Sequence, residues 1–134
     1  MSDLEPTMHA LLVEDEPDMR MLIKAYLRRD PRIQIMGEAA SADQALALVR
    51  EDPPRLIILD HSIEGEIMGL AVAPRLRELA PDSKILFFTA FNMAGEAQAE
   101  PAVDAYLSKS DMPKLLLTVQ ELLGLLPLQC EISR

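Results

Sequence analysis

Glu14, Asp15, Asp60, Thr89 and Lys109 share a position in the sequence: each stands just past a short run of apolar residues. Asp60 closes Leu56-Ile57-Ile58-Leu59, and Glu14-Asp15 closes the run from Met8 to Val13. Thr89 follows Lys84 to Phe88, and Ser108-Lys109 follows Val103 to Leu107. Taken singly, a polar residue at such a place reads as a turn or a cap. Taken together they are a set with a chemistry. Three converging carboxylates repel one another, and one is pushed toward protonation unless a cation shares the site. Oxygen donors without His or Cys suit Mg²⁺, which takes a few carboxylates together with phosphate oxygens rather than a complete protein cage. That combination points to phosphoryl chemistry. A carboxylate can attack phosphorus to form an aspartyl phosphate when a metal and a fixed cation neutralise the equatorial oxygens. Lys109 supplies such a cation, and the Thr89 hydroxyl a donor to the third oxygen.

These residues meet only if the apolar runs are neighbouring strands. A run apolar at every position suits a strand covered on both faces, as in a parallel sheet between helices. The intervening segments predict those helices. Met19, Leu22, Ile23, Tyr26 and Leu27 form one face of a helix opened by Pro17, with Arg20, Lys24 and Arg28 on its wet face, and Asp30-Pro31 stops it. Ile33 to Glu38 alternates like a sheet-edge strand. Ser41 with Gln44 makes a capping box for a second helix, buried through Ala42, Ala45, Leu46 and Val49 and ended by Asp52-Pro53-Pro54. After Asp60, a loop with Glu64, Gly65, Glu66 and Gly69 leads to a third helix carrying Leu76 and Leu79, in which Pro74 is tolerable only near the start. The helical signal between Thr89 and Val103 is poor. Asp111 is read as the cap of a last helix with Leu115, Val119, Leu122, Leu123 and Leu126 on its apolar face and Pro127 at its end. The repeating strand–helix alternation predicts an α/β fold with right-handed crossovers and helices on both faces of the sheet. In such folds the strands' carboxyl ends form one rim, which is where ligands bind.

At 134 residues the chain has the size of one domain, expected over 8–126 with short tails at 1–7 and 127–134. A formal net charge of -9 speaks against a direct nucleic-acid surface, which needs clustered Lys and Arg. The single Cys130 allows neither an intrachain disulfide nor a Cys/His zinc site. The first residues lack the basic and apolar regions of a signal peptide, and no stretch has the length of a membrane span, so a soluble cytoplasmic protein is expected.

The set Glu14-Asp15, Asp60, Thr89-Ala90 and Asp104-Ala105-Tyr106-Leu107-Ser108-Lys109 resembles the receiver domain of two-component response regulators, over about residues 8 to 126. The resemblance implies a flavodoxin-like sheet of strand order 2-1-3-4-5. It implies Asp60 as phosphoacceptor, with a histidine kinase or phosphotransfer protein as donor. Mg²⁺ would lie on Glu14, Asp15, Asp60 and the backbone carbonyl of Ser62. Thr89 and Tyr106 would be the switch pair, and Lys109 would match the family's invariant-type lysine. Tyr106 also admits a plainer reading, as a core aromatic with a wet hydroxyl. The sequence departs from the family pattern in three places: no Pro follows Asp60 in its loop, Ser110 stands after Lys109 where Pro is commoner, and the segment from Thr89 to Lys109 is short and holds Gly95 and Pro101.

The function expected is that of a single-domain response regulator, catalysing only its own aspartyl phosphorylation and dephosphorylation and signalling to a protein partner through helix 4, strand 5 and helix 5. The alternative is a receiver-like interaction module that works without phosphorylation. A flavin-binding flavodoxin relative would need a Ser/Thr/Gly-rich phosphate loop where Glu14-Asp15-Glu16 stands. His61 is read as an exposed loop residue, His9 as structural, and residues 91–102 as the loosest ordered part.

Overall fold

Every residue of Leu56–Leu59 is at most 1% exposed, as a strand apolar at each position requires. The computed structural model describes residues 7–126, so the Pro127 stop, Cys130 and all but Thr7 of the two tails lie outside the described residues. In chain order the elements are β1 (Met8–Val13), α1 (Pro17–Leu27), β2 (Ile33–Ala39), α2 (Ala42–Glu51), β3 (Leu56–Leu59), α3 (Gly69–Leu79), β4 (Lys84–Thr89), α4 (Ala94–Gln98), β5 (Ala105–Ser108) and α5 (Leu115–Leu123), with a 3₁₀ segment Lys109–Lys114 before α5. All strand pairs are parallel and the order is β2-β1-β3-β4-β5. This is the flavodoxin-like architecture expected.

Alternation along the strands builds two cores. Leu11, Val13, Ile57, Leu59, Ile85 and Phe87 face α2, α3 and the single buried residue of α4, Ala97. Ala10, Leu12, Leu56, Ile58, Leu86 and Phe88 face Ile23 and Leu27 of α1 and Leu115 and Val119 of α5. The capping box of α2 forms, with the Gln44 N–H donating to Ser41 Oγ at 3.2 Å, but the Gln44 side chain reaches one residue further back, accepting the Ala40 N–H at 2.7 Å.

The structure corrects several local expectations. Pro74 sits at the sixth position of α3, past its first turn, at an exposed position, where it lacks the N–H for one helical hydrogen bond. Asp111 caps nothing: it is a kink inside the 3₁₀ segment (φ -103°, ψ 32°), which Ser108 caps by accepting the Ser110 N–H at 3.2 Å. Pro113 lies within that segment. The last helix ends at Gly124, whose left-handed conformation (φ 71°) stops it, and Leu126 is 77% exposed rather than packed. Leu22 is likewise exposed, since only Ile23 and Leu27 of α1 are fully buried. The peptide after Lys109 is trans, as are all peptides among the described residues.

Asp30, which the sequence marks only as a helix stop, is a buried tie between α1 and α5. Its carboxylate is wholly buried and accepts hydrogen bonds from the Arg32 N–H, Arg32 Nε, Arg32 Nη2 and Gln120 Nε2 at 2.8 to 3.0 Å. The bonds from Arg32 outweigh burial and hold its pKa at about 2, below the ordinary 3.8. A depressed carboxylate stabilises the fold above its unfolded pKa and loses that contribution as pH falls through the folded one. Asp30→Asn is therefore expected to cost about 2 kcal/mol at neutral pH, with the difference from the parent shrinking between about pH 4 and pH 2. Urea unfolding across that range measures it.

Candidate functional site

The sheet register sets the candidate residues side by side. Val13 pairs with Leu59 and Leu59 with Phe87, so the residues that follow emerge together at the carboxyl edge. The Asp60 N–H still bonds to the Val13 carbonyl (3.0 Å) and the Glu14 N–H to the Ala39 carbonyl (2.9 Å), which fixes both backbones at the rim. Arg20 of α1 adds a clamp, donating from Nη1 to the Glu14 carbonyl at 2.7 Å while its Nε pairs with Glu38 at 3.1 Å. The sequence suggests only a wet helix face for Arg20; no simple pattern links positions 14, 20 and 38.

Lys109 closes the site. Its Nζ donates to Glu14 Oε1 at 2.7 Å and to Asp60 Oδ2 at 2.9 Å. Glu14 is 2% and Asp60 5% exposed. The remaining oxygens are held by backbone: Glu14 Oε2 accepts the Glu16 N–H (3.2 Å), and Asp60 Oδ1 accepts the His61 N–H (2.7 Å). Burial, with the Asp60 charge adding to it, raises the Glu14 pKa despite the lysine's opposing pull. Burial pulls the Lys109 pKa down, yet its bonds to two carboxylates win and the net shift is upward. The imbalance is physical: the lysine has two anions, whereas Glu14 has one cation and a competing anion.

Asp15 follows Glu14 in the chain and is half-buried, and among the described residues its carboxylate has no hydrogen-bond or ion-pair partner. Ser62 lies exposed two residues past Asp60. No group of three or more His, Cys, Asp or Glu side chains among the described residues stands close enough to hold a metal alone. The donor chemistry nonetheless fits Mg²⁺. Hard oxygens of Glu14 and Asp60 converge on one cation already, the burial that raises the Glu14 pKa would be relieved by a second, and Mg²⁺ completes its shell with water and phosphate oxygens.

Thr89 ends β4 fully buried, and its Oγ1 accepts the Phe91 N–H at 3.3 Å. That is its one side-chain bond among the described residues, which leaves the hydroxyl hydrogen to donate. Tyr106 is neither fully buried nor loose. Its hydroxyl donates to the Phe91 carbonyl (3.0 Å) and accepts the Met93 N–H (3.4 Å), while its ring tilts against Phe87 at 6.3 Å. His61 departs from the exposed loop residue that the sequence suggests. Its ring stands edge-on to both Phe87 and Phe91, centroids 5.9 Å apart in each case, and Nδ1 accepts the Leu70 N–H at 3.4 Å. A histidine next to an acid carries no sequence mark of such packing; the aromatics of the fourth strand and its loop are the available clue.

Gly69 owes its identity to the site. A Cβ at this position would overlap the Asp60 carbonyl and crowd the His61 Cα, while the Gly69 N–H bonds to the His61 carbonyl at 2.9 Å. Gly95, by contrast, has open space around its Cα within α4. Gly69→Ala is expected to destabilise by about 1–3 kcal/mol through overpacking, whereas Gly95→Ala should stabilise by up to about 1 kcal/mol through helix propensity. Urea denaturation of the two variants checks the opposite signs.

A family described as the response regulator receiver domain matches residues 10–120. Among curated proteins, the chain is similar to the nitrate/nitrite response regulator protein NarL of Escherichia coli, 32% identical over 119 residues, 87% of this chain and 54% of that protein. It is also similar to the transcriptional activator protein ExaE of Pseudomonas putida, 34% identical over 114 residues, 82% of this chain and 52% of that protein. The chain thus spans about half the length of these relatives. Among solved structures, a two-component response regulator of the LuxR family from Aurantimonas sp. SI85-9A1 matches with a TM-score of 0.78 at 27% identity, covering 95% of this chain and 93% of that one.

Proposed function

The chain belongs to the response regulator receiver domain family, and we propose that within it Asp60 accepts a phosphoryl group from a histidine kinase or phosphotransfer protein in a Mg²⁺-dependent reaction. Receiver domains are signalling modules rather than enzymes acting on a separate substrate. The observation that carries the proposal is the buried bridge of Lys109 to both Glu14 and Asp60. An Asp60 oxygen attacks phosphorus, the bond to the donor breaks, and the donor keeps its electron pair and takes up a proton. Lys109 stays beside Asp60 and neutralises charge on the phosphoryl oxygens, and the free hydrogen of Thr89 Oγ1 donates to another. Mg²⁺, when bound, supplies further charge neutralisation; Glu14, Asp15, Asp60 and the Ser62 carbonyl are the residues proposed to hold it.

Output follows from the Thr89 connection. When Thr89 turns toward a phosphoryl oxygen, its acceptor bond to the Phe91 N–H must adjust, and the Phe91–Met93 segment with it. Tyr106 holds that segment from the other side, which supports its role as the second switch residue. We place the partner surface on α4, β5 and α5 and take 8–126 as the receiver unit, with a protein rather than nucleic acid as its direct contact. The acidic net charge supports that choice. No helix among the described residues is long and apolar enough to cross a membrane; a cytoplasmic location is proposed from the family and its kinase donors.

Intact-mass measurement after incubation with acetyl phosphate and Mg²⁺ should show one added phosphoryl group in the parent and none in Asp60→Ala. No addition in the parent with any donor would favour the phosphorylation-independent interaction module instead. A metal titration separates the acids. Asp15, with its carboxylate unengaged, should matter more than Glu14, already bound to Lys109, so Asp15→Ala should weaken Mg²⁺ binding by at least about tenfold and Glu14→Ala by less. Equal, negligible effects would mean that the acidic turn is merely solvated.

A further inference from the structure

His61 has no part in the chemistry described so far, yet it contacts the acceptor, the start of α3, β4 and the loop after β4. Its N–H donates to Asp60 Oδ1 at 2.7 Å, and its carbonyl accepts the Gly69 N–H at 2.9 Å. Its ring stands edge-on between Phe87, which is fully buried, and Phe91, which is 51% exposed. Phe87 is packed in the core, so the ring has a core wall on one side and a loop residue on the other. Phe91 is the residue whose N–H occupies Thr89 Oγ1 and whose carbonyl takes the Tyr106 hydroxyl.

We infer that His61 is a positioning residue for phosphoryl acceptance: by seating Phe91 against its ring, it holds the Phe91 N–H on Thr89 Oγ1 and so restricts the directions in which the Thr89 hydroxyl can donate. The geometry supports this over a purely structural role. A hydroxyl that accepts through one lone pair has two of its three staggered directions left for its hydrogen, and the Phe91 N–H sets which direction is excluded here. Phe91 itself has little burial to hold it and lines an open cleft of about 470 Å³ with His61, Met68 and Met93. What locates it is the edge contact with His61 together with the hydroxyl of Tyr106. The arrangement also ties the acceptor carboxylate to the β4–α4 loop before any phosphoryl group arrives, because the backbone of the same histidine is bonded to Asp60. This inference rests on the phosphoryl-accepting role proposed for Asp60, but its first test does not depend on that role.

Amide hydrogen exchange of the unphosphorylated chain is compared for the parent, His61→Ala, His61→Phe and Phe91→Ala, and the phosphorylation rate with acetyl phosphate and Mg²⁺ is followed by intact mass for the same set and the His61→Ala/Phe91→Ala double variant. His61→Ala should speed exchange at the Phe91 and Met93 amides and slow phosphorylation, each by roughly threefold to tenfold, the scale of one lost aromatic pair. His61→Phe, which keeps a ring edge for Phe91, should stay near the parent. The double variant should be no slower than either single one, because both changes break one contact. Unchanged exchange at Phe91 in His61→Ala, or single effects that multiply in the double variant, would overturn the inference. Phe91 is half exposed and can be cut back without harm to the core, so a parent-like phosphorylation rate in Phe91→Ala would overturn it even if His61→Ala does not fold. If the parent itself takes no phosphoryl group, the proposed function fails and the exchange measurement alone decides the role of His61.

Discussion

Charge balance at the carboxyl rim is the constraint on which the rest of the molecule depends. Glu14 and Asp60 are nearly sealed from water, and burying one carboxylate is costly unless a cation is at hand. Lys109 meets both, so a single ammonium serves two buried carboxylates. Two buried carboxylates thus share one positive charge, and the Glu14 pKa is raised, chiefly by burial with the Asp60 charge adding to it. A pocket of this kind is unfavourable for a packed protein interior and favourable for chemistry that brings its own divalent cation. The fold tolerates it because backbone N–H groups and the Lys109 ammonium together engage all four oxygens of the two buried carboxylates.

Strand order explains why these three residues can meet. β1 and β3 are neighbours, so Glu14 and Asp60 leave the sheet side by side; β5 is two strands from β3, with β4 between. Lys109 must therefore reach across the end of β4. A long side chain supplies the span, and small residues at that end, Thr89 and Ala90, leave the path clear. Thr89 pairs with Ser108, the residue before the lysine, which puts Thr89 at the same rim. On the far side, Gly69 lets the start of α3 lie directly against the Asp60 peptide, closer than any side chain allows. The rim is thus shaped by two kinds of smallness, one over β4 and one at the head of α3.

Much of this is legible in the sequence because burial leaves a plain mark. Runs such as Leu56 to Leu59 announce strands covered on both faces, and the polar residue closing each run marks the rim, so the strand order and the meeting of Glu14, Asp60 and Lys109 follow from pattern and family resemblance. What escapes are contacts that depend on three-dimensional neighbours. Asp30 looks like a helix stop, although its carboxylate binds Gln120, 90 positions away in sequence. Asp111 has the right chemistry for a cap, but a 3₁₀ segment begins two residues before it and Ser108 takes the capping role. Pro74 is expected near a helix start because a mid-helix proline is costly, yet it lies past the first turn at an exposed position of α3. Leu126 continues a helical stripe that Gly124 has already ended, for periodicity reads on where the backbone does not.

The two faces of the sheet differ in how they hold their helices, and that difference bears on signalling. α1 and α5 are fixed by branched and aliphatic side chains, including Ile23, Leu27, Leu115 and Val119, each fully buried. α4 has five residues and buries only Ala97. The loop that leads into it is held mainly by polar tethers and ring edges: Phe91 N–H on Thr89, Phe91 carbonyl and Met93 N–H on Tyr106, and Phe91 against His61. Unpacking a buried Leu or Ile costs about 1.5–3 kcal/mol, whereas exchanging a half-exposed hydrogen bond costs on the order of 1 kcal/mol or less. Rearranging this loop is therefore a matter of trading a few weak bonds, within the range that one charged group bound at the rim can bias. The same change on the α1–α5 face would require opening the core. Any signal that starts at Asp60 has its lowest-cost path through the residues that Thr89, His61 and Tyr106 hold in place.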